Sequence, residues 1–304
     1  DNLDFYSALR NLASLIGLSV NTKNHQNSSF QNKYKTLELS SIFFIETLNS
    51  KKNKYILDYL NKRGLDIEIC KEFLIGYAPS NKYDYQLIDY LKSKNIKEVE
   101  LIEIGLAKKR YNNLYGYFYD RIMIPIVSTN GKIVGFGGRT TNSSEPKYLN
   151  SPESDIFEKG KLLFAFNKAS SYIRKKDKAI IVEGYFDVIS LHSKGINNCV
   201  ASLGTALNKY QISQLCRCTD NKNIVINFDS DNAGILATKR IISEVENLSL
   251  HQQINLKILQ LVSCKDPDEF LNKYSANEYL NLVDKASFWI DWELDQIFLN
   301  KDLS

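Results

Sequence analysis

Residues 181–191 read IVEGYFDVISL. The run begins inside a greasy strand, Ile180-Ile181-Val182, and stops on Glu183. Asp187 follows four residues later, across a Gly184-Tyr185-Phe186 turn. A carboxylate that closes a buried strand costs free energy unless something pairs with it, and the adjacent sequence offers no basic residue. The pattern recurs downstream. AIIVEG (179–184), NCVASLG (198–204), NIVINFDSD (223–231) and NLKILQLV (255–262) are short apolar strands, and 187–194, 207–217 and 233–246 between them have helical spacing. Strand alternating with helix predicts an α/β unit, a mostly parallel sheet with helices on both faces. Such sheets bind ligands where the carboxyl ends of strands meet loops. The acids fall there: Glu183 on the first strand, Asp229 and Asp231 behind Phe228, Asp266 and Asp268 behind a strand ending at Leu261-Val262.

Like charges at one sheet edge repel and raise one another's pKa. A divalent cation removes that repulsion, and oxygen ligands without His or Cys suit magnesium or manganese. The D-x-D spacing of Asp229 and Asp231 lets one loop turn both side chains toward one ion. Taken singly, Asp187, Asp229 or Asp266 could instead cap the helix that follows it. Other chemistries are poorly supplied. His25, His192 and His251 are scattered, which leaves nucleophilic catalysis little to work with. The five cysteines, Cys70, Cys199, Cys216, Cys218 and Cys264, fit neither a disulfide framework nor a zinc site. No apolar run reaches the ~18 residues needed to cross a bilayer.

Upstream, residues 3–18 have helical spacing, 19–35 read as a polar Asn-rich linker, and 36–60 read as a helix broken at Gly64. Near Tyr115 the pattern becomes strand–turn–strand, with Asn130-Gly131 as a hairpin signal. Residues 140–160, with Pro146 and Pro152, read as loop. Residues 268–300 read as helical, with Trp289 and Trp292 as packing residues. The net charge of +4 permits anionic partners without requiring them. Arg63, Arg121, Arg139, Lys147 and Lys159 fall in loops or at strand ends, with the aromatic Tyr148 among them. Basic residues interleaved with an aromatic suit single-stranded DNA, through phosphate contacts and base stacking. Lys209 is a further candidate, whereas the lysines of 51–54 and 173–178 read as solvated surface.

VEGYFDV, ASLGTAL, FDSDNAG and KDPDEF, in that order, resemble the Toprim catalytic core of the bacterial-type (DnaG) DNA primases. Upstream, YLNKRGL, GYAP, YDRIMIPI, GKIVGFGGR, PKYLNSPES and FEKGKLLF resemble that family's N-terminal subdomain. The likeness runs from about Tyr55 to Tyr274. The Toprim acids are shared with topoisomerases and some nucleases, while GFGGR followed by PKYLNSPE is specific to primases. The sequence departs from the family at Ser230, where a glycine usually separates the two aspartates; the loop is expected to survive so small a residue.

The resemblance implies a metal-dependent nucleotidyltransferase that makes short RNA primers on single-stranded DNA from ribonucleoside triphosphates during replication. It implies magnesium or manganese on Glu183, Asp229, Asp231, Asp266 and Asp268. Arg63, Arg121, Arg139, Lys147, Tyr148, Lys159 and Lys209 are expected to serve template and nucleotide, and Asp187 to act as helix cap or secondary acid. The expected organisation is a remnant helix and linker (1–20) after a missing zinc-binding domain, an α+β template-binding subdomain (21–175), the Toprim sheet (176–265) and a helical subdomain (266–304). No zinc is expected here. An RNA–DNA hybrid, and a replicative helicase bound through a missing C-terminal domain, are the expected partners, with no membrane. A bacterial nucleoid, or an organelle of bacterial ancestry such as a plastid, is the expected location. Another Toprim enzyme, or a non-catalytic module that binds single-stranded DNA or a helicase, are the alternatives.

Overall fold

The computed structural model describes residues 24–79, 86–111, 113–142, 145–204, 207–252 and 254–301. The helix expected at 3–18 lies outside them. The first described element is helix α1, Asn24–Leu48. It overturns the linker reading of 19–35 from residue 24 onward. The polar composition misled because this helix has no Gly or Pro to break it and uses polar groups to dock. Lys33 is buried and pairs with Asp155 at 2.6 Å and Glu103 at 3.1 Å. Leu37, Phe44 and Leu48, on the inward face, are buried.

Short helices α2 (Lys54–Lys62) and α3 (Ile67–Glu72) follow, the latter capped by Asp66 on the Glu68 and Ile69 N–H groups. Strand β1 (Gly76–Ala78), helices α4 (Gln86–Ser93) and α5 (Glu98–Glu103) and the ribbon β2 (Ala107–Arg110) with β3 (Asn113–Gly116) come next. Strands β4 (Arg121–Val127) and β5 (Ile133–Thr140) form the hairpin that Asn130-Gly131 foretold. The segment 140–160 is not all loop. Tyr148–Asn150 form β6, which pairs with Gly137–Arg139 and completes an antiparallel sheet of order β1-β4-β5-β6.

After α6 (Phe166–Lys176) comes the second sheet, from β7 (Ala179–Val182), β8 (Cys199–Ala201), β9 (Asn223–Ile226), β10 (Asn255–Ile258) and β11 (Ser287–Phe288). Its order is β11-β10-β9-β7-β8, parallel except for β11. Strand β10 stops four residues short of Val262, whose side chain stands fully in solvent. Helices α7 (Tyr185–Ser193), α8 (Lys209–Cys216) and α9 (Asn232–Gln252) are the crossovers. Helices α10 (Pro267–Lys273), α11 (Ala276–Asp284) and α12 (Trp289–Lys301) close the chain, and Trp292 is buried as expected. From β7 the chain steps to β8 on one side and then to β9 on the other. The topological switch point therefore lies between β7 and β9, where an open α/β sheet presents its crevice. One hydrophobic cluster runs from Leu48, Ile56, Tyr77 and Ile124 into Ile180, Val182, Phe186 and Phe270, so the two sheets share a core. The edge strand β8 is not bare: Phe164 makes an isolated antiparallel bridge to Ala201, with N···O distances of 2.8 and 3.4 Å.

Candidate active site at the sheet switch point

Glu183 follows the last residue of β7, and Asp229 lies three residues beyond the end of the adjacent β9. The Asp229 N–H donates to Glu183 Oε1 at 3.2 Å, which ties the two strand ends together. Gly234 makes this approach possible. A Cβ there would lie 2.0 Å from the Asp229 carbonyl oxygen and 2.9 Å from Glu183 Oε1. Asp231 is the residue ahead of α9, and its Oδ1 accepts the Gly234 N–H at 3.1 Å.

The acids are not without a cation. Lys265 Nζ lies 3.0 Å from Asp231 and 3.5 Å from Asp229. Sequence reading missed it because the pairing crosses the sheet edge, although Lys265 opens the KDPDEF motif. Asp266 caps α10, its Oδ1 accepting the Glu269 N–H at 2.7 Å. Asp268, almost fully buried, is ion-paired with Arg63. Asp187 caps its helix, as expected, but from inside the first turn rather than from the residue ahead of it. Helix α7 starts at Tyr185, and Asp187, one turn in, reaches back to accept the Gly184 N–H at 3.0 Å. Glycine with an extended backbone can end the strand and start the helix one residue after Glu183, so the helix begins earlier than its apolar spacing suggested. Among the described residues, no three His, Cys, Asp or Glu side chains are arranged to share one ion.

Burial, and then Asp229 and Asp231, push the Glu183 carboxyl up to about 7. Burial and Asp266 raise Asp229. Asp231 is held below the usual range, first by the Gly234 N–H and then by Lys265. Asp187 is held well above the usual carboxylate range, by burial and by Asp266, Asp229 and Asp268 around it. The edge thus carries more negative charge than one ammonium balances.

Facing Glu183, Asp187, Asp229 and Asp266 across a cleft of about 320 Å³, whose lining includes neither Asp231 nor Asp268, is a basic and aromatic wall from the other sheet. Arg139 on β5 stands opposite Tyr148 on β6, its guanidinium 4.4 Å from the Phe186 ring centroid and 5.5 Å from that of Tyr148. Stacking of a planar cation on rings fixes its direction. Lys147 lies beside them, its Nζ 5.8 Å from the Tyr148 ring. Asn150, which sequence reading left without a role, accepts the Tyr185 hydroxyl at 2.6 Å and donates to the Leu203 carbonyl at 2.8 Å. Gly137 leaves room for that tyrosine, since a Cβ there would lie 2.5 Å from its ring. Arg63 reaches the cleft from α2's end, stacked 5.1 Å from Phe186. Arg121, Lys159 and Lys209 are not in the lining. Arg121 is buried and braces the Gly138 and Lys147 carbonyls at 3.3 and 3.4 Å. Lys159 sits in a 3-10 turn and Lys209 is exposed at the start of α8.

Residues 43–170 match the family described as DNA primase catalytic core, N-terminal domain, and residues 180–271 match the Toprim-like family. The DNA primase of Synechococcus elongatus is 42% identical over 89% of this chain and 39% of its own length. That of Clostridium acetobutylicum is 38% identical over 99% of this chain and 50% of its own length. The chain thus spans about two-fifths to half of these curated relatives. Among solved structures, a DNA primase domain from Pseudomonas aeruginosa superposes with a TM-score of 0.80 at 32% identity, covering 88% of this chain and 83% of that one. A DnaG primase catalytic domain bound to single-stranded DNA gives 0.77 at 30% identity, over 86% and 81%. Likeness in sequence and in fold over the same residues means common descent, and the chain belongs to the DnaG-type DNA primases, within their catalytic core.

Proposed function

We propose that this chain carries the primer-synthesising centre of its primase: nucleotidyl transfer from ribonucleoside triphosphates onto a growing RNA strand, directed by single-stranded DNA. The observation that carries the reading is the cleft itself, with acids on one wall and Arg139, Lys147 and Tyr148 on the other. Such a cleft binds a polyanion and concentrates negative charge against a site that takes a cation.

In their chemistry the acids suit a hard divalent cation, although with Lys265 lying on Asp229 and Asp231 no three of the described acids converge on one point. They offer only oxygen ligands, their charge exceeds its counter-charge, and an ammonium already rests on two of them. Glu183, Asp229 and Asp231 would hold magnesium or manganese, and Asp266, which caps α10, and Asp268, which is paired with Arg63, would have to leave those partners to serve a neighbouring ion. A divalent cation held there would lower the pKa of the primer 3′-hydroxyl and offset charge on the phosphates. The chain's own residues do the rest. Arg139, fixed between Phe186 and Tyr148, presents a planar donor fork to phosphate oxygens. Lys147 adds charge beside it, and the half-exposed Tyr148 ring offers a stacking face to a base. Glu183 must shed the proton it holds near neutrality before it can serve as a ligand.

An RNA–DNA hybrid as product and a replicative helicase as partner belong to the same reading, as does a place in a bacterial nucleoid or a bacterially derived organelle. It is supported by relatives from bacteria and cyanobacteria. No helix among the described residues is long and apolar enough to cross a membrane. The deciding assay is primer synthesis on single-stranded DNA with labelled ribonucleotides and magnesium. Ribonucleotide-containing products that need template and metal support the proposal; supercoil relaxation or strand cleavage without synthesis overturns it.

A further inference from the structure

Ser230 stands between the two aspartates of the D-x-D motif, where the family pattern has glycine. Its side chain is engaged. The hydroxyl donates to the Leu261 carbonyl at 2.8 Å, with the Cys264 carbonyl second at 3.3 Å. Its backbone N–H donates to the Lys265 carbonyl at 2.9 Å. The segment 259–266 has neither helix nor strand of its own, so these bonds, with the Lys265 N–H on the Glu269 carboxylate at 2.8 Å, hold it in place. The outcome is a lysine backbone fixed at both its N–H and its C=O, with the ammonium laid across Asp231 and Asp229.

We propose that Ser230 and Lys265 form a built-in counter-cation: the Ser230 hydroxyl staples the 261–265 loop to the acidic loop, so that the Lys265 ammonium neutralises Asp229 and Asp231 in the metal-free protein and must leave before a divalent cation binds. Ser230 is a positioning residue that acts through Lys265. The device lets acids approach one another without metal and makes the ammonium a competitor for it. This inference rests on the proposed metal role of the acids. Glycine at 230 would keep the backbone bond and lose the staple.

The test is a titration of the purified chain with manganese, followed by electron paramagnetic resonance at low salt, beside melting in EDTA and in saturating magnesium. Lys265 is about half exposed, and exposed ion pairs are weak. Lys265→Gln should therefore bind manganese only about 3-fold more tightly than the parent, which is ~0.6 kcal/mol. It should melt ~1–2 °C lower in EDTA, a gap that closes in magnesium. Ser230→Ala keeps every charge and should still tighten manganese binding, by about 2-fold. Ser230→Thr restores the hydroxyl and should bind as the parent does. In the Lys265→Gln background, Ser230→Ala should change nothing further, because its effect runs through the lysine. Equal affinities for parent and Lys265→Gln overturn the counter-cation. Additive effects in the double variant, or a melting loss that persists in magnesium, overturn the staple. If the parent binds no manganese, the metal reading fails and this inference with it.

Discussion

Glu183→Gln keeps the oxygen that accepts the Asp229 N–H and removes the charge. In the metal-free protein the carboxyl is pushed up to about 7, by burial first and by Asp229 and Asp231 next, whereas an ordinary glutamate sits near 4.5. The folded state therefore holds the proton more tightly than the unfolded one, and stability declines as pH rises from the lower value through the higher. The whole gap corresponds to ~3 kcal/mol above neutrality. Solvent screening at a partly exposed carboxylate reduces this to ~1–2 kcal/mol. Glutamine suffers no such decline. At pH 8 in EDTA the variant should melt about 2–4 °C above the parent, and at pH 5 the two should melt within ~1 °C of each other. Magnesium at pH 8 should stabilise the parent more than the variant, since one ligand anion is gone, and ribonucleotide transfer should nearly vanish. Scanning calorimetry from pH 5 to 8, with and without magnesium, measures all of this. A variant that melts below the parent in EDTA at pH 8 would refute the reasoning, because it would mean that the charge of Glu183 supports the fold.

Gly234→Ala puts a methyl group 2.0 Å from the Asp229 carbonyl oxygen; the forced shift of α9 should cost ~1–3 kcal/mol in urea unfolding and weaken manganese binding alongside. Arg63→Ala leaves Asp268, 5% exposed, without its cation; unfolding free energy should fall by about 3 kcal/mol, and a loss below about 1 kcal/mol would show that water compensates the carboxylate. Arg139→Ala and Lys147→Ala should each weaken binding of single-stranded oligonucleotide and flatten its log–log salt dependence by ~0.7 per cation removed, as read by fluorescence anisotropy; unchanged slopes would place the strand elsewhere.

The four parallel strands of the second sheet were legible because their signals are local; the antiparallel β11, Ser287–Phe288, was not, and it interrupts residues 266–304 that were read as helical, two residues being too few to show an alternating pattern. Four apolar runs, three of them closed directly by an acid or a glycine, read as buried parallel strands, and the order of the acids followed from them. What escaped was set by contacts between distant residues. Arg63 and Asp268 are 205 positions apart, and nothing near either one announces their pairing. Lys265 was visible as a letter, but its reach across to Asp229 and Asp231 depends on a loop that Ser230 holds. Asp266 fulfils the simpler reading, a helix cap, which was open to Asp187, Asp229 and Asp266 alike and which sequence alone could not divide among them. Helix α1 was missed from Asn24 to Lys35 because its docking uses a buried Lys33 ion pair, and an amphipathic pattern counts lysine as outward-facing. Arg121 was misplaced for the converse reason: strand-end arginines usually point to solvent, yet this one is spent on two backbone carbonyls.

The bridge from Phe164 to Ala201 has a consequence for life at high concentration. An open parallel sheet ends in strands whose free amides and carbonyls can template pairing with another molecule. Here one border strand, β8, is three residues long and already engaged by Phe164, and the other, β11, is two residues long and runs antiparallel. Neither offers a row long enough to recruit a neighbouring copy. A sheet whose interior is Ala-Ile-Ile-Val and Asn-Ile-Val-Ile is rich in segments prone to cross-β stacking once exposed. The Phe164 bridge thus works as a gatekeeper over an aggregation-prone core.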